Sequence, residues 1–176
     1  MAMVALGGIV TGRAIHVGGF DMDAAIQQHV RRRYGLAIGE TTAERLKVDV
    51  GSAYPLAEPA EVHVQGRELS TGMPRSVAVS PEEIRVVLGD AVQAIVHATR
   101  ASLAESPPEL AHDVLETGLF LTGGGGLLRG LEMRLAQECE VPVHVTENPL
   151  ATVVLGAGYL LEELPEYQKA FLEARR

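Results

Sequence analysis

One stretch limits the possible folds of this chain more than any other, because it joins three kinds of local structure without a break. An apolar run at 119–122 leads into four glycines and then into a leucine-rich segment ending at 138. The sequence of this stretch is LFLTGGGGLLRGLEMRLAQE. The leucine spacing, at Leu127, Leu128, Leu131 and Leu135, is that of a helix with one apolar face. A strand, a glycine turn and a helix in this order are typical of α/β proteins.

The glycines have two interpretations that the residues alone leave open. Glycines before a helix N-terminus let a ligand approach the backbone and offer it free N–H groups, as in many anion sites. However, no Lys or Ser/Thr follows the glycines as in a phosphate-binding P-loop, and the dinucleotide-binding glycine pattern is also absent. Both a close-packed turn and a contact with a nucleotide remain possible at this point.

The rest of the chain alternates between strand and helix patterns. Strands are predicted where apolar and polar residues alternate over short runs, and helices where apolar residues recur every three or four positions. The predicted strands form hairpins at 1–17 and 60–80 and a single strand at 141–145. The predicted helices lie at 21–33, 39–51, 81–106, 109–116, 127–138 and 148–164. This order indicates an α/β or α+β fold.

Several of these helices carry terminal signals. Thr41 and Glu44 have the spacing of a capping box, as do Ser80 and Glu83. A glycine at position 89 predicts a break in the long helix. The helix at 148–164 is apolar nearly all round, and such a helix must be buried against a partner surface.

Composition excludes several classes of function. The net charge of −8 argues against nucleic-acid binding, which needs a basic surface. The basic run at 31–34 is expected to close a helix. A single Cys and six scattered His provide neither a disulfide framework nor metal-ligand spacing, so an intracellular protein without a structural metal is expected. No apolar run reaches transmembrane length, and no pair of carboxylates is marked as an acid–base couple.

Three segments taken together resemble the bacterial actin-like rod-shape proteins of the MreB family. These are 17–55, 66–80 and 106–158, and they occur in the family's order over nearly the whole chain. The resemblance is to the C-terminal half of that family. It implies an α/β fold of the actin-like ATPase (ribonuclease H-like) type, in which ATP lies between two lobes that are each divided into a core and a peripheral subdomain.

The resemblance also implies a division of the chain. Residues 1–18 and 90–147 correspond to the core subdomain of the second lobe, and 19–89 to its peripheral subdomain. The helix at 148–165 resembles one that packs on the first lobe, and 166–176 is a C-terminal tail. The first lobe is missing, as is the central strand that would lie between the strands at 1–6 and 119–122.

ATP is the cofactor that the resemblance implies, and two stretches match its nucleoside contacts. A carboxylate can accept from ribose hydroxyls, and Lys or Arg stems can cover a purine. For one position in the helical stretch, Leu46, a place in the core is the favoured interpretation when the residue is taken alone. The matching residues are Glu44, Arg45, Leu46 and Lys47 in the helical stretch, and Gly124, Gly125, Gly126 and Leu127 in the glycine stretch.

The chain departs from the family pattern in its phosphate contacts. Two phosphate loops, D-x-G-T and D-x-G-G-G-T-T, are absent, and the catalytic Glu and Mg²⁺ contacts belong to the missing parts. We therefore expect this chain to contain no catalytic residue and no metal site, and to show no ATPase activity. A longer protein with its genuine start upstream is the expected explanation. Phe20, Gly126 and Asn148 are smaller departures.

Three functions follow as expectations. The first is an MreB-type cytoskeletal protein, which assembles with itself into ATP-dependent filaments that determine cell shape. The intact family is cytoplasmic and reaches the membrane through N-terminal parts missing here. The alternative is a nucleotide-independent module that binds or caps full-length filaments or contacts the cell-wall elongation machinery. The third expectation is a lobe of another ATPase of the same fold, such as a sugar kinase or a heat-shock chaperone.

Overall fold

A computed structural model describes residues 1–5, 7–57 and 61–162. The strands are β1 (Ala2–Ala5), β2 (Gly8–Gly12), β3 (Leu36–Ala37), β4 (Val62–Glu68), β5 (Pro74–Val79), β6 (Leu119–Leu121) and β7 (Val143–Val145). The helices are α1 (Gly19–Tyr34), α2 (Glu40–Val50), α3 (Pro81–Ala104), α4 (Ala111–Thr117), α5 (Leu131–Cys139) and α6 (Thr152–Glu162). Short 3₁₀ turns span Pro108–Leu110 and Gly124–Leu127. The predicted α/β class is confirmed.

The described strands form three separate sheets. β1 and β2 make an antiparallel hairpin, as predicted, and β3, β4 and β5 form an antiparallel sheet in that order. β6 and β7 pair in parallel, with Leu119 opposite Val143 and Leu121 opposite Val145. A parallel pair needs a crossover connection, and α5 provides it.

The helix α1 has the ends and the buried face that its sequence predicts. The Gly18 N–H donates to the Asp21 carboxylate at 2.8 Å, which caps the first turn. Gly35 ends the helix in the left-handed region at φ 62°, and three arginines lie in the last turn, where the helix dipole favours positive charge. Its apolar stripe, Met22, Ile26 and Val30, is buried.

The capping box predicted for α2 is wrong. Gly39 is the N-cap and the helix begins at Glu40, so Thr41 already lies within the first turn and makes no side-chain cap. The left-handed Gly35 and the short strand β3 set where the chain can turn into α2, and this placement overrides the local capping preference. The signal at α3 is half right, because Ser80 Oγ accepts from the Glu83 N–H at 3.2 Å while the Glu83 carboxylate bonds elsewhere.

The break predicted in the long helix is also wrong, since α3 runs without interruption from Pro81 to Ala104. A glycine inside a helix costs about 1 kcal/mol. Here Gly89 lies on the exposed face, and its neighbour Leu88 and the next buried position, Val92, anchor the opposite face in the core. Burial of those side chains offsets the cost. The helix thus crosses the boundary predicted near residue 90.

The helix after the glycines begins later than the leucine spacing predicts. α5 starts at Leu131, and the glycines form a 3₁₀ turn instead of leading into the helix. Gly130, at φ 73°, separates the turn from the helix. As a result Leu127 is 51% exposed, whereas Leu128 is buried with Leu131 and Leu135.

The main core lies between the helices α1, α2, α3 and α5 and the sheet of β3, β4 and β5. Its side chains are aliphatic, with Ile26, Leu36, Ile84 and Leu88 fully buried. By contrast, α6 buries none of its residues, and Val153, Val154 and Leu161 are about 70% exposed. The predicted C-terminal tail and residues 163–165 lie outside the described residues. Within the described ranges, no helix has the length and apolarity needed to cross a membrane.

Candidate functional site

The helical stretch 44–47 points its four side chains in different directions. Leu46 is 4% exposed and packs in the core, which is the structural role that the sequence also allowed for this position. Glu44 and Arg45 are exposed. Arg45 Nε lies 3.5 Å from Asp49 Oδ2, an exposed ion pair one helical turn away.

Lys47 is largely buried and held by α1. Its Nζ donates to Asp23 Oδ2 at 2.8 Å and to the Gly19 carbonyl at 3.2 Å. Asp23 is 7% exposed, and its second oxygen, Oδ1, is buried without a hydrogen-bond partner among the described residues. Sequence reasoning missed Asp23, although an acidic residue inside the apolar stripe of α1 was a signal that it has a buried cation nearby.

The four glycines divide into two groups. Gly123 has a φ of +78°, a backbone angle that residues with a side chain rarely adopt. Gly126 is buried, and a Cβ added there would lie 3.3 Å from the Leu121 Cβ. These two serve the turn. Gly124 and Gly125 are exposed, and a Cβ on Gly125 would meet nothing within 4 Å. Packing therefore does not account for glycine at 125.

Two backbone donors of the glycine turn, the N–H groups of Gly124 and Gly125, have no hydrogen-bond acceptor among the described residues. The Gly126 N–H donates to the Gly123 carbonyl at 3.1 Å and the Leu128 N–H to the Gly125 carbonyl at 3.2 Å. The N–H groups of Gly124 and Gly125 begin the 3₁₀ turn, so the turn itself supplies them with no acceptor. This geometry can bind a hydroxyl, carbonyl or anionic oxygen that approaches the exposed face of the turn.

A short junction joins the two predicted stretches. The Ala53 N–H donates to the Arg129 carbonyl at 2.8 Å, and the Arg129 guanidinium donates to the Asp49 carbonyl at 3.2 Å. Ser52 and Arg129 also pair as an isolated parallel bridge. The end of α2 is thus bonded to the segment that leaves the glycine turn. Among the described residues, no hydrogen bond joins the two sets of predicted site residues directly.

The residue that follows Arg129 must be glycine for two reasons. Gly130 has φ +73°, and an added Cβ would lie 2.8 Å from the Tyr54 Cβ. The close approach of the two backbones therefore depends on this position. Sequence reasoning missed Arg129 and Gly130 as site-forming residues, because a bridge between segments about 75 positions apart leaves no local pattern.

A surface cleft of about 390 Å³ lies between α2 and β4, away from the glycine turn. It is lined by α2 and β4, including Arg45, Leu46 and His63, and by no residue of the glycine turn. Arg45 thus faces this cleft and Asp49. Over the described ranges, no three His, Cys, Asp or Glu side chains are grouped so that they could hold a metal ion.

Comparison with known proteins identifies the family. The family description for MreB/Mbl proteins matches residues 1–169. The chain belongs to the MreB/Mbl family. It is 40% identical over 172 residues to the cell shape-determining protein Mbl of Bacillus cereus, covering 98% of this chain and 52% of that protein. It is 45% identical over 162 residues to the cell shape-determining protein MreB of Escherichia coli, covering 92% of this chain and 47% of that protein. The chain therefore spans about half the length of these relatives.

Solved structures confirm the predicted actin-like fold. MreB5 of Spiroplasma citri bound to AMPPNP is 30% identical, and it superposes with a TM-score of 0.89 over 96% of this chain and 50% of that one. The MamK double helical filament is 19% identical, with a TM-score of 0.65 over 80% of this chain and 44% of that one. At that identity the likeness to MamK shows the fold alone.

Proposed function

We propose that this chain is the nucleoside-contacting part of an actin-like filament protein that determines cell shape and binds ATP. The observation that carries the proposal is the junction at Arg129, which holds the end of α2 beside the segment leaving the glycine turn. Two stretches far apart in sequence each match a nucleoside contact of the MreB family, and this junction bonds the end of the first element to the segment that follows the second. MreB5 of Spiroplasma citri has been solved with AMPPNP and with ADP, which supports a nucleotide as the ligand.

The proposed contacts differ in kind. The free N–H groups of Gly124 and Gly125 donate to ligand oxygens, and Gly126 and the exposed Leu127 shape the same turn. The exposed Glu44 accepts from ribose hydroxyls and the exposed stem of Arg45 covers the base. Lys47, bonded to Asp23, contributes by holding the helix that carries both side chains. Leu46 supports the helix from beneath. We assign the phosphate and Mg²⁺ contacts to none of the described residues, so weak binding and no ATP turnover are expected from this chain.

A glycine-to-alanine pair tests the nucleotide contact. Gly125→Ala adds a methyl where the fold leaves open space, so its cost to folding is small. The methyl does obstruct a ligand that rests against the turn. We expect fluorescence titration with a methylanthraniloyl-labelled ATP to show about tenfold weaker binding, equal to about 1.4 kcal/mol.

Gly89→Ala is the matched control, because that glycine lies on the exposed face of α3 and an added Cβ again meets nothing within 4 Å. Its affinity should equal that of the parent chain. Equal affinity for Gly125→Ala and the parent, or no saturable binding by the folded parent chain, contradicts the proposed contact.

A second candidate function is a nucleotide-independent module that joins or caps full-length filaments. The exposed apolar helix α6 favours it, since such a surface marks an interaction site. In either case we place the protein in the cytoplasm, beside the membrane and the cell-wall elongation machinery. Light scattering of filaments of a full-length relative, with and without this chain, separates the candidates: capping that persists without nucleotide supports the second.

A further inference from the structure

Arg129 is attached to the end of α2 at two points. Its carbonyl accepts from the Ala53 N–H at 2.8 Å, and its guanidinium donates to the Asp49 carbonyl at 3.2 Å. The two partners are four positions apart on their side of the junction. A backbone bond by itself leaves the helix end free to turn about that bond, whereas a second point of attachment fixes its orientation.

The side-chain bond satisfies a group that α2 leaves without a partner of its own. Asp49 is the last residue but one of α2, and the last carbonyls of a helix have no N–H partner within it. The guanidinium also places positive charge at the negative end of the helix dipole. Arg129 therefore caps the C-terminus of α2 from a segment 80 positions away in the chain.

The attachment at Asp49 also affects a proposed nucleoside contact. Arg45 lies one turn earlier on the same face of α2, and its Nε is 3.5 Å from Asp49 Oδ2. Lys47 points to the other side of the helix, where it bonds α2 to Asp23 of α1. The bond from Arg129 instead joins α2 to the segment that leaves the glycine turn, so it crosses the boundary predicted between the peripheral and core subdomains.

We propose that Arg129 is a positioning residue for nucleotide binding, whose guanidinium holds the two halves of the nucleoside site in a fixed orientation. It acts through Asp49 and not through contact with the ligand. A ligand that bonds to both halves binds more tightly when they are already in place, because less conformational freedom is lost on binding. This role rests on the proposed function, since it concerns the same two stretches.

Hydrogen exchange of the ligand-free chain tests the attachment itself. Arg129→Met removes the guanidinium but keeps an apolar stem. We expect the Ala53 N–H to exchange about tenfold faster in this variant than in the parent chain, because local opening of the junction needs less free energy. The N–H of Leu88, whose side chain is fully buried in the core, should exchange at the parent rate.

Nucleotide affinity tests the positioning role, with the same labelled ATP as above. We expect Arg129→Met to bind about fivefold more weakly than the parent chain, within the range of single hydrogen bonds. Arg129→Lys keeps the charge and a donor but not the planar guanidinium, so it should recover part of the affinity. Arg67→Met is the matched control, because it removes one positive charge at an exposed position of β4. It should bind like the parent chain.

A double substitution separates positioning from a general defect. In the parent chain, Gly125→Ala should weaken binding about tenfold. In the Arg129→Met chain it should weaken binding about threefold or less, because a ligand that no longer bonds well to both halves at once loses less when one is obstructed.

The positioning role is overturned if Arg129→Met binds like the parent chain, or if Arg67→Met loses as much affinity. It is also overturned if Gly125→Ala has the same effect in both backgrounds, or if exchange at Leu88 accelerates as much as at Ala53. In each of these cases the proposed ATP contact still stands. By contrast, a folded parent chain without saturable binding contradicts the nucleotide site itself.

Discussion

At the scale of single residues, the position of Lys47 depends on Asp23. The ammonium lies 2.8 Å from Asp23 Oδ2, and the side chains are 16% and 10% exposed. A pair removed from water to this degree is costly to break, because the remaining charge stays buried without its partner. The pair also bonds α2 to α1, so it fixes the helix that carries the predicted nucleoside contacts.

Asp23→Asn should therefore destabilise the fold markedly. We expect a loss of about 2–3 kcal/mol in the free energy of unfolding, somewhat less than the ~3–5 kcal/mol found when fully buried pairs are broken. Urea unfolding followed by circular dichroism measures it. Asp49→Asn is the matched control, because its pair with Arg45 is exposed and should contribute less than about 0.5 kcal/mol. Equal losses in the two variants contradict this role for Asp23.

At the scale of elements, Glu83 joins α1 to α3. Its carboxylate accepts from the Tyr34 hydroxyl at 2.8 Å, contacts His29 Nε2, and lies 3.2 Å from Arg33 Nε. Burial opposes ionisation of Glu83, but the hydrogen bonds from His29 and Tyr34 outweigh it and hold the pKa of Glu83 below its usual value. Burial, followed by the bond to Glu83, raises the pKa of Tyr34.

This junction should make stability depend on pH under acidic conditions. Because the pKa of Glu83 is lower in the folded than in the unfolded chain, the unfolded chain binds more protons between the two values. The stabilisation is complete above the unfolded pKa and is lost below about pH 5, as pH falls through the folded pKa. Glu83→Gln should be less stable at pH 7 and show a shallower loss of unfolding free energy between pH 6 and 3.

Urea unfolding at a series of pH values makes the comparison. Glu116→Gln serves as the control, because within the described part of the chain Glu116 pairs with His112 alone, on the exposed helix α4, and both side chains are more than two-thirds exposed. It should follow the parent curve. A Glu83→Gln curve parallel to that of the parent would show that the junction does not set the acid response.

At the scale of the whole molecule, α6 is an apolar helix on the surface. We expect the double variant Val154→Asp, Leu161→Asp to associate less, because both side chains are about 70% exposed and carboxylates disfavour burial in a contact. Sedimentation velocity should show a coefficient that rises with concentration for the parent and stays constant for the variant. Val86→Asp, at a 72% exposed position of α3, controls for a simple change in charge. The same rise in all three proteins would contradict association through α6.

Patterns within one element were predictable from the sequence, whereas features that depend on distant contacts were not. The stripe of α1, its dipole-matched ends and the hairpin strands follow from spacing that each segment carries itself. The start of α5 could not be predicted in this way. Arg129 pairs with Ser52 in extended backbone, so the helix begins only after Gly130. The role of Asp23 could not be predicted for the same reason, because it depends on the bond to Lys47, 24 positions away.

The candidate site was predicted in part. Resemblance pointed to both stretches, and the junction between them brings their elements together. Sequence could not divide the glycines into Gly123 and Gly126, which serve the turn, and Gly124 and Gly125, which leave it open, because that division depends on backbone angles and on contact with Leu121. The roles of the eight matched residues in binding nucleotide stay predictions.

The uneven distribution of the core has a consequence for how the molecule opens. The buried cluster draws its residues from α1, α2 and α3, the three-stranded sheet and the region of α5, and none from the described residues of the β1–β2 hairpin. Regions with few buried apolar contacts open at lower free energy than the cooperative core. The hairpin should therefore fray as a separate foldon while the core between α1, α2 and α3 stays native, so its backbone amides exchange with solvent before those of the core helices.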